Sequence, residues 1–447
     1  MIRQTLRFVD DRSGSMPFLR KALRYVFPDH WSFLIGEVAL YAFVVLVGTG
    51  IYLTLFFDPS TATTVYHGSY LPLRGVEMSQ AYKSVVNLSF DVKAGLLMRQ
   101  THHWAADVFL AAITLHLLRV FFTGAFRKPR DLTYYLGVSM LLLALVEGYL
   151  GYSLVDDLLS GMGLAIGYSV AMSIPVVGAN VALLIWGAPF PGVPGFWSRM
   201  YVAHVLLLPI LIGTLLAVHL FLVAARHHTQ FRERPTSERR VRGTPMFPGY
   251  APRSLGLLFA VASVLVLLGG LVQINPVWLW GPYHVAQGTN GAQPDWYLGW
   301  LIGALRLVPG FDLTIGHYTL VPNPFWGGVL FPLVVFAILY LWPALERRFT
   351  GDRTFHHALD RPRDAPWRTA LGAGLFTWIF LVFLAGASDR VFVTLNISYG
   401  AQIWFYRIAI WVLPFVVGAI TKRTCDALRA SEQLKEERRR AELEARA

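Results

Sequence analysis

The chain has 447 residues and a formal net charge of +12, with 55% hydrophobic and only 15% charged residues. Soluble chains usually carry about 25% charged residues, so this composition excludes a soluble protein of two or three domains and equally a disordered or disulfide-stapled chain. The one cysteine, Cys425, excludes a disulfide, a cysteine-built zinc site and a CxxCH haem attachment within the chain. The sequence therefore predicts a polytopic membrane protein, whose basic charge belongs to cytoplasmic loops and not to nucleic-acid binding.

Eight apolar segments are predicted to cross the membrane as helices, because each is close to the length that a bilayer core of about 30 Å requires. They are 33–57, 103–123, 134–153, 200–225, 254–274, 326–343, 370–388 and 402–421. The predicted fold is an all-α polytopic membrane protein whose first four spans form a four-helix bundle. A long apolar loop rich in Pro, Gly and Trp, 275–325, separates the fifth span from the sixth.

The distribution of lysine and arginine predicts the orientation. With eight spans both termini lie on one side of the membrane, and that side holds 31 of the 39 lysines and arginines. Basic loops face the cytoplasm, so both termini are expected there. The polar N-terminal segment lacks the apolar core of a signal peptide. The predicted organisation is a cytoplasmic segment 1–32, a first half 33–240, a second half 241–421 and a charged cytoplasmic tail 422–447, expected to be an exposed helix with i,i+4 ion pairs.

Histidines recur in the second and fourth spans, where ionisable residues are costly and usually functional. His102 and His116 are 14 residues apart, which leaves their side chains about 40° apart around the helix, whereas His103 lies about 140° from His116. His204 and His219 are 15 residues apart and about 60° out of line, which still permits one shared face. Both spans run from outside to inside, so His102 is predicted to pair with His204 near the outer face, and His116 with His219 near the inner face. Two stacked bis-histidine sites suit two non-covalent b-type haems, and the first half is thus predicted to be a dihaem four-helix bundle.

Glycine pairs with a similar spacing occur in the first and third spans. They are Gly36 with Gly50 and Gly137 with Gly151, each 14 residues apart. A flat macrocycle can lie against a helix where no Cβ intervenes, although ordinary small-residue packing is the alternative. Three arginines within five residues of a predicted ligand are candidates for binding haem propionates, with anchoring at the membrane edge as the alternative: Arg99, Arg119 and Arg199.

The outer loop contains the sequence QPDWYLGW at 293–300. A carboxylate buried among apolar residues tends to have a raised pKa and can accept a proton. Asp295 is therefore predicted to be a base with a raised pKa beside a large aromatic surface. The alternative is an interfacial Pro-Asp turn with tryptophan anchors.

Three segments carry a resemblance to a known family. RQTHHWAADVFLAAITLHLLRVFFTGAFRKPR, YVAHVLLLPILIGTLLAVHLFLVAARHHTQF and QPDWY together resemble cytochrome b of the quinol:cytochrome c reductases. PDHWSFLIGEVALYAFVVLVGTGIYLTLFFDPS and FFTGAFRKPR resemble the actinobacterial branch of that family. The resemblance extends over about residues 20–420.

The resemblance implies a bacterial cell-membrane protein that oxidises menaquinol at an outer site and reduces menaquinone at an inner site, contributing to proton translocation. Pro294, Asp295, Trp296 and Tyr297 occupy the positions of the family's outer-site motif, with Asp295 taking a quinol proton and Tyr297 facing a docked Rieske head. His102 and His204 would hold the low-potential haem, and the other pair the high-potential haem. Just past the fourth span, His227 and His228 are candidates for the inner quinone site because imidazole suits a proton donor; loop residues at the membrane surface are the alternative.

Two departures from the family pattern fall at the outer site. Val155 stands where the family has proline in its GYSLP stretch, and Leu301 and Ile302 stand where actinobacterial relatives often have threonine and an acid. The change at Val155 affects how a quinol would fit, and Leu301 and Ile302 make the predicted site more apolar.

The implied partners are a Rieske iron–sulfur subunit, a cytochrome c subunit, a terminal oxidase and membrane lipid, in a dimeric complex that does not involve nucleic acid. This chain alone is not expected to reduce cytochrome c, because it lacks the cysteines for an iron–sulfur cluster or a c-type haem. One rival function is the dihaem b-type anchor of another quinone-linked oxidoreductase, which would not require PDWY or the last four spans. The other is a transporter with structural histidines, which predicts no haem.

Overall fold

The computed structural model describes residues 8, 10–14, 16–190, 196–231, 241–288 and 294–446. The predicted boundary between the two halves, at residue 240, lies outside the described residues. Within them, eight helices are long and apolar enough to cross a bilayer, as the sequence predicted. Their bounds are Trp31–Thr54, Gly95–Phe122, Asp131–Ser153, Phe196–Arg226, Met246–Leu271, Trp326–Thr350, Pro366–Gly386 and Tyr399–Glu444.

The last helix differs most from its prediction. It was expected to end at 421 and be followed by a separate tail, but it continues to Glu444 as one helix of 46 residues. Apolar residues give way to charged ones along it, and no Gly or Pro follows Gly418. The charged part carries the expected i,i+4 ion pairs, Lys422 with Asp426 and Glu436 with Arg440. Glu432 also pairs with Arg361, so the tail contacts the loop between the sixth and seventh spans.

The first four spans form the predicted four-helix bundle. The first span packs against the second, the second against the third and the third against the fourth, and the fourth returns to the first through a π-helical turn at Ala203–Leu207. Small residues allow this close approach, since Ala39, Ala105 and Ala144 lie buried in its core. The fifth span covers the first and second, and the seventh and eighth pack together in a second group.

Short elements close the end of the bundle that holds His102 and His204, which is called the outer end after its predicted orientation. The helices at this end are Gln80–Phe90, Leu158–Met172, Gly178–Trp186, Gly299–Leu307 and Ser388–Leu395. Two antiparallel strand pairs lie there as well, Thr63–Val65 with Glu77–Ser79 and Leu313–Ile315 with Tyr318–Val321. The predicted loop 275–325 therefore contains a helix and a hairpin, and it folds back over the bundle.

The opposite end, called the inner end, joins distant parts of the chain. Helix Met16–Leu23 precedes a strand, Val26–Phe27, that pairs antiparallel with Thr244–Pro245, and Gln230–Phe231 pairs parallel with Ala358–Leu359. Asp360 bonds both Arg127 and Arg368 there, at 2.9 and 2.8 Å. The two arginine charges outweigh the effect of burial and lower the pKa of Asp360, so this carboxylate stays charged and ties the two halves together.

Candidate functional site

His102 and His204 face each other at the outer end of the bundle. Their ring centres are 6.3 Å apart and their planes are nearly perpendicular, at 86°. Metal–imidazole bonds of about 2 Å would place the centres of two rings on opposite sides of one metal about 6 Å apart. The separation of these two rings therefore fits a shared metal of the kind that a haem carries.

The other ring nitrogens of this pair already have polar partners. Nδ1 of His102 lies 2.9 Å from the hydroxyl of Thr49, and Nδ1 of His204 lies 3.0 Å from the carboxylate of Glu147. Partners of this kind fix the tautomer and the orientation of a metal-binding imidazole. Both histidines thus keep Nε2 for a ligand.

The glycines with the histidine spacing face the histidines. A Cβ at Gly50 would lie 3.3 Å from Cε1 of His102, and a Cβ at Gly151 would lie 2.5 Å from Cε1 of His204. At the inner histidine pair, a Cβ at Gly36 would lie 3.2 Å from Cε1 of His116. Each of the predicted glycines therefore adjoins one predicted ligand, and the space beside the rings exists because the glycines lack side chains.

His116 and His219 line a cavity of about 960 Å³ at the inner end. Gly36 and Gly137 line the same cavity, and Gly137 approaches His219 with 3.8 Å between its Cβ position and Cε1. Nδ1 of His219 lies 3.0 Å from the backbone carbonyl of Thr133. Ligand pockets commonly measure about 300–1,000 Å³, so this cavity is large enough for a prosthetic group.

The three predicted arginines have different surroundings. Arg119 lines the inner cavity, with its guanidinium 4.2 Å from the ring centre of Phe33, and its Nε and Nη2 have no partner in the part of the chain that the structure describes. Arg99 is buried at the outer end and donates to the carbonyl of Asn275, while its Nε and Nη2 are likewise unpartnered among described residues. Buried guanidinium donors without partners fit an anionic group such as a propionate. Arg199 is exposed and instead donates to the carbonyls that end helix Gly178–Trp186.

His103 is directed away from His204, as its azimuth predicted. Its Nε2 lies 2.6 Å from Oδ1 of Asp295. The other carboxylate oxygen, Oδ2, accepts a hydrogen bond of 2.9 Å from the hydroxyl of Tyr297. Tyr297 is 4% exposed, and burial beside the Asp295 carboxylate raises its pKa well above the ordinary value. The structure thus joins the second span to the PDWY segment through one carboxylate.

The predicted rise in the pKa of Asp295 is wrong. Burial by itself raises that pKa, but the charge of His103 and the hydrogen bonds from His103 and Tyr297 outweigh burial and hold it below the ordinary value. The apolar character of this loop was visible in the sequence, but its contact with His103 was not. Pro294 and Trp296, the neighbours of Asp295 in the motif, are half-buried and exposed, respectively.

His227 and His228 both line the inner cavity. His227 stacks on Tyr25 at 5.4 Å between ring centres, and Nδ1 of His228 lies 3.2 Å from the Tyr25 hydroxyl. Burial, together with the charges of Arg130 and Arg119, lowers the pKa of His228 to about 4. His228 therefore does not have the ordinary histidine pKa on which its prediction as a proton donor rested, and almost none of it is protonated near pH 7.

Three carboxylates inside the spans were missed by the sequence analysis. Glu147 contacts His204, Asp107 hydrogen-bonds Trp296, and Glu37 lines the inner cavity. Glu37 accepts hydrogen bonds from Ser254, at 2.7 Å, and from Tyr250. The cost of placing ionisable residues in a membrane applies to acids as it does to histidines, so this signal was available.

Fold and site together define a polytopic membrane protein with one pair of histidines at each end of a four-helix bundle. A family model described as "Cytochrome b(N-terminal)/b6/petB" matches residues 107–282. The chain is similar to two proteins named "Cytochrome bc1 complex cytochrome b subunit". It is 44% identical to that of Streptomyces coelicolor and 46% identical to that of Mycobacterium leprae, each over 426 residues, with 95% of this chain and 78% and 77% of theirs covered.

The fold is also that of a solved chain from "Hyperthermophilic respiratory Complex III", with a TM-score of 0.67 and 18% identity over 93% of this chain and 99% of that one. The chain belongs to the cytochrome b family, with the cytochrome b subunits of actinobacterial bc1 complexes. The family expected from the sequence is therefore confirmed, and haem b is the cofactor that this membership implies.

Replacement of one glycine beside each histidine pair should affect the haem content of the two sites differently. Gly151→Ala should reduce the content of the outer haem, because the new Cβ would lie 2.5 Å from His204. Gly137→Ala is the matched control and should retain both haems, because its Cβ would make an ordinary contact of 3.8 Å with His219. Haem per chain and the reduced-minus-oxidised spectrum measure the result. Equal haem content in the two variants would contradict the role of the tight contact between Gly151 and His204.

Proposed function

We propose that this chain is the cytochrome b subunit of a respiratory menaquinol:cytochrome c reductase. It oxidises menaquinol at an outer site and reduces menaquinone at an inner site, which contributes to proton translocation. The observation that carries the proposal is the stacking of two histidine pairs in one bundle, each histidine beside a glycine. Menaquinol is chosen over other quinols from the resemblance to the actinobacterial branch.

His102 and His204 would hold one b haem and His116 and His219 the other, each through Nε2. These groups supply a path for one electron across the membrane when bound. The chain's own contribution is to fix the imidazoles through Thr49, Glu147 and the carbonyl of Thr133, and to leave space beside them at the glycines. Arg99 and Arg119 supply donors for carboxylate substituents at the two ends.

At the outer site, Asp295 is the proposed acceptor of a quinol proton. Menaquinol oxidation releases two protons and two electrons, and one proton would pass to the carboxylate that His103 and Tyr297 hold. These contacts keep the carboxylate ionised and fixed in orientation before the quinol arrives. Protonation of Asp295 would weaken its pairing with His103 and so free the acid to release the proton outward.

At the inner site, the cavity continues from the histidine pair to a polar wall. His228 is neutral and can accept or donate one hydrogen bond, and Tyr25 fixes its ring. Glu37 lies on the same wall, held by Ser254 and Tyr250, and its protonated form could supply a proton. The inner site is therefore proposed to bind menaquinone between His228 and Glu37.

His228 should not set the pH dependence of quinone reduction. Because its pKa is lowered to about 4, the imidazole is neutral throughout the physiological range, and a charged form appears only as the pH falls towards that value. Replacement by Gln is expected to change the rate of inner-site reduction by a similar factor at every pH from about 5.5 to 8. The measurement is haem reduction through the inner site with the outer site inhibited. Loss of an inflection near pH 6.5 in the variant would show that His228 titrates after all.

The partners follow from what the chain does not carry. The electron of each quinol that does not pass through the haems requires a Rieske iron–sulfur subunit and a cytochrome c subunit, with a terminal oxidase beyond them. One cysteine in this chain cannot hold either centre. The complex is proposed to be a dimer in the bacterial cell membrane, with both termini of this chain in the cytoplasm on the basic side.

Purification of the tagged chain from its own membranes tests this function. The expected result is co-purification of a Rieske subunit and menaquinol:cytochrome c activity in that sample, with no such activity from the chain alone. A dihaem chain that purified without any Rieske subunit, and instead with a dehydrogenase, would contradict the proposal and favour a different quinone-linked enzyme.

A further inference from the structure

Three of the four proposed ligands have neutral surroundings at Nδ1. His102 contacts the hydroxyl of Thr49 at 2.9 Å, and that hydroxyl donates its own hydrogen to a backbone carbonyl of the same helix. His219 contacts the backbone carbonyl of Thr133 at 3.0 Å. Nδ1 of His116 has no partner among the described residues.

His204 differs, because a carboxylate adjoins its Nδ1. Oε1 of Glu147 is 3.0 Å away, and the backbone carbonyl of the same residue is 3.2 Å away. If Nε2 binds a metal, Nδ1 carries the hydrogen and donates it to Glu147, whose backbone carbonyl and carboxylate both lie within reach. The side chains of both residues are mostly buried, at 18% and 19% exposure, and water therefore screens the pair only weakly.

A charged acceptor changes the reduction potential of a metal that the histidine binds. Hydrogen bonds to an ionised acceptor are about twice as strong as neutral ones, and they give the imidazole more anionic character and raise its basicity as a ligand. A more basic ligand stabilises the ferric state over the ferrous state. The outer site should therefore have a lower reduction potential than a site with neutral partners.

The other buried charges do not remove this difference between the two layers. Arg99 precedes His102 by three residues and Arg119 follows His116 by three, and each has two unpartnered guanidinium nitrogens among described residues. Arg130 also lines the inner cavity, so the inner end carries more positive charge, which acts in the same direction as a negative charge at the outer end. Glu37 lines the inner cavity, but hydroxyl groups on the first and fifth spans hold its carboxylate. None of its hydrogen bonds in the described chain goes to a ligand histidine.

We propose that Glu147 is a positioning residue that lowers the reduction potential of the outer haem relative to the inner one. The carboxylate acts through His204 and makes electron transfer from the outer layer to the inner layer energetically favourable. This inference rests on the proposed ligation of the outer haem by His204.

An optically monitored redox titration of the purified complex tests it. Glu147→Gln keeps a hydrogen-bond acceptor but removes the charge, so the midpoint potential of the outer haem should rise while that of the inner haem stays unchanged. Glu147→Asp retains the charge and should stay closer to the wild type. Thr49→Val is the matched control, because it removes the neutral partner of His102 in the same layer, and its shift should be smaller than that of the Gln variant. A Gln variant that titrates like the wild type would overturn the inference.

A measurement on the wild-type complex needs no variant. Ferric haems with a more anionic imidazole show their near-infrared magnetic circular dichroism band at shorter wavelength, so the two haems should give separate bands with the outer one at shorter wavelength. A single coincident band would contradict a charged partner at His204. Failure of the proposed ligation by His204 has a different result, because His204→Ala would then retain both haems. If this inference alone fails, the outer haem still depends on His204, but its potential does not depend on Glu147.

Discussion

His116→Ala and His219→Ala should each yield a complex with one b haem per chain in place of two. Both imidazoles line the inner cavity, and removal of either would leave one histidine where two would hold the haem. The outer haem should persist, because His102 and His204 form a separate pair with their own polar partners. Reduced-minus-oxidised spectra and haem per chain provide the measurement.

His103→Ala is the control for this experiment. It removes a neighbouring histidine of the same helix, but one whose Nε2 bonds Asp295 rather than facing His204. Both haems should remain in this variant. Loss of a haem from His103→Ala, or loss of both from His116→Ala in an otherwise intact complex, would contradict the pairing described above.

Asp295→Asn should slow quinol oxidation by about 10²–10⁴-fold, the range that general acid–base groups contribute. Asparagine keeps the size and can still accept a hydrogen bond from Tyr297, but it cannot take a quinol proton and has no charge to pair with His103. Haem content and inner-site quinone reduction should persist. The measurement is steady-state quinol:cytochrome c turnover of the assembled complex across pH.

The pH profile follows from the direction of the pKa shift. The pKa of Asp295 lies below its ordinary value of about 3.9, so acid should not remove this proton acceptor in the wild type until the pH falls below about 4. Asp295→Glu retains a carboxylate and should keep most of the turnover. Comparison with this variant separates loss of the base from a change in side-chain size. Rieske subunit content is determined in each sample. An Asn variant with wild-type turnover at every pH and full subunit content would make Asp295 a turn residue.

Features that depend on local pattern were predicted well. The eight spans follow from hydropathy, and the separation of His102 from His103 follows from helical azimuth, because both depend only on residues close in sequence. The glycine spacing also indicated which residues would adjoin the histidines, and ordinary packing was the alternative. The structure places Gly50 and Gly151 against the histidine rings.

Features that depend on distant contacts were not predicted. The pKa of Asp295 was assigned in the wrong direction because His103, 192 residues away in sequence, supplies the charge that decides it. The lowered pKa of His228 likewise depends on burial beneath the N-terminal segment and on Arg130 from another loop. Glu147 is a different case, since an acid within a span four residues before Gly151 was visible in the sequence and was passed over.

The central claim is that this chain holds two b haems, one on each pair of histidines. A pyridine haemochrome assay on the purified complex, normalised to this polypeptide and combined with a redox titration of the same sample, tests it most directly. Two haems b per chain are expected, titrating as two one-electron components of different potential. A chain with no haem, or with one haem that is lost equally in His102→Ala and His116→Ala, would contradict it.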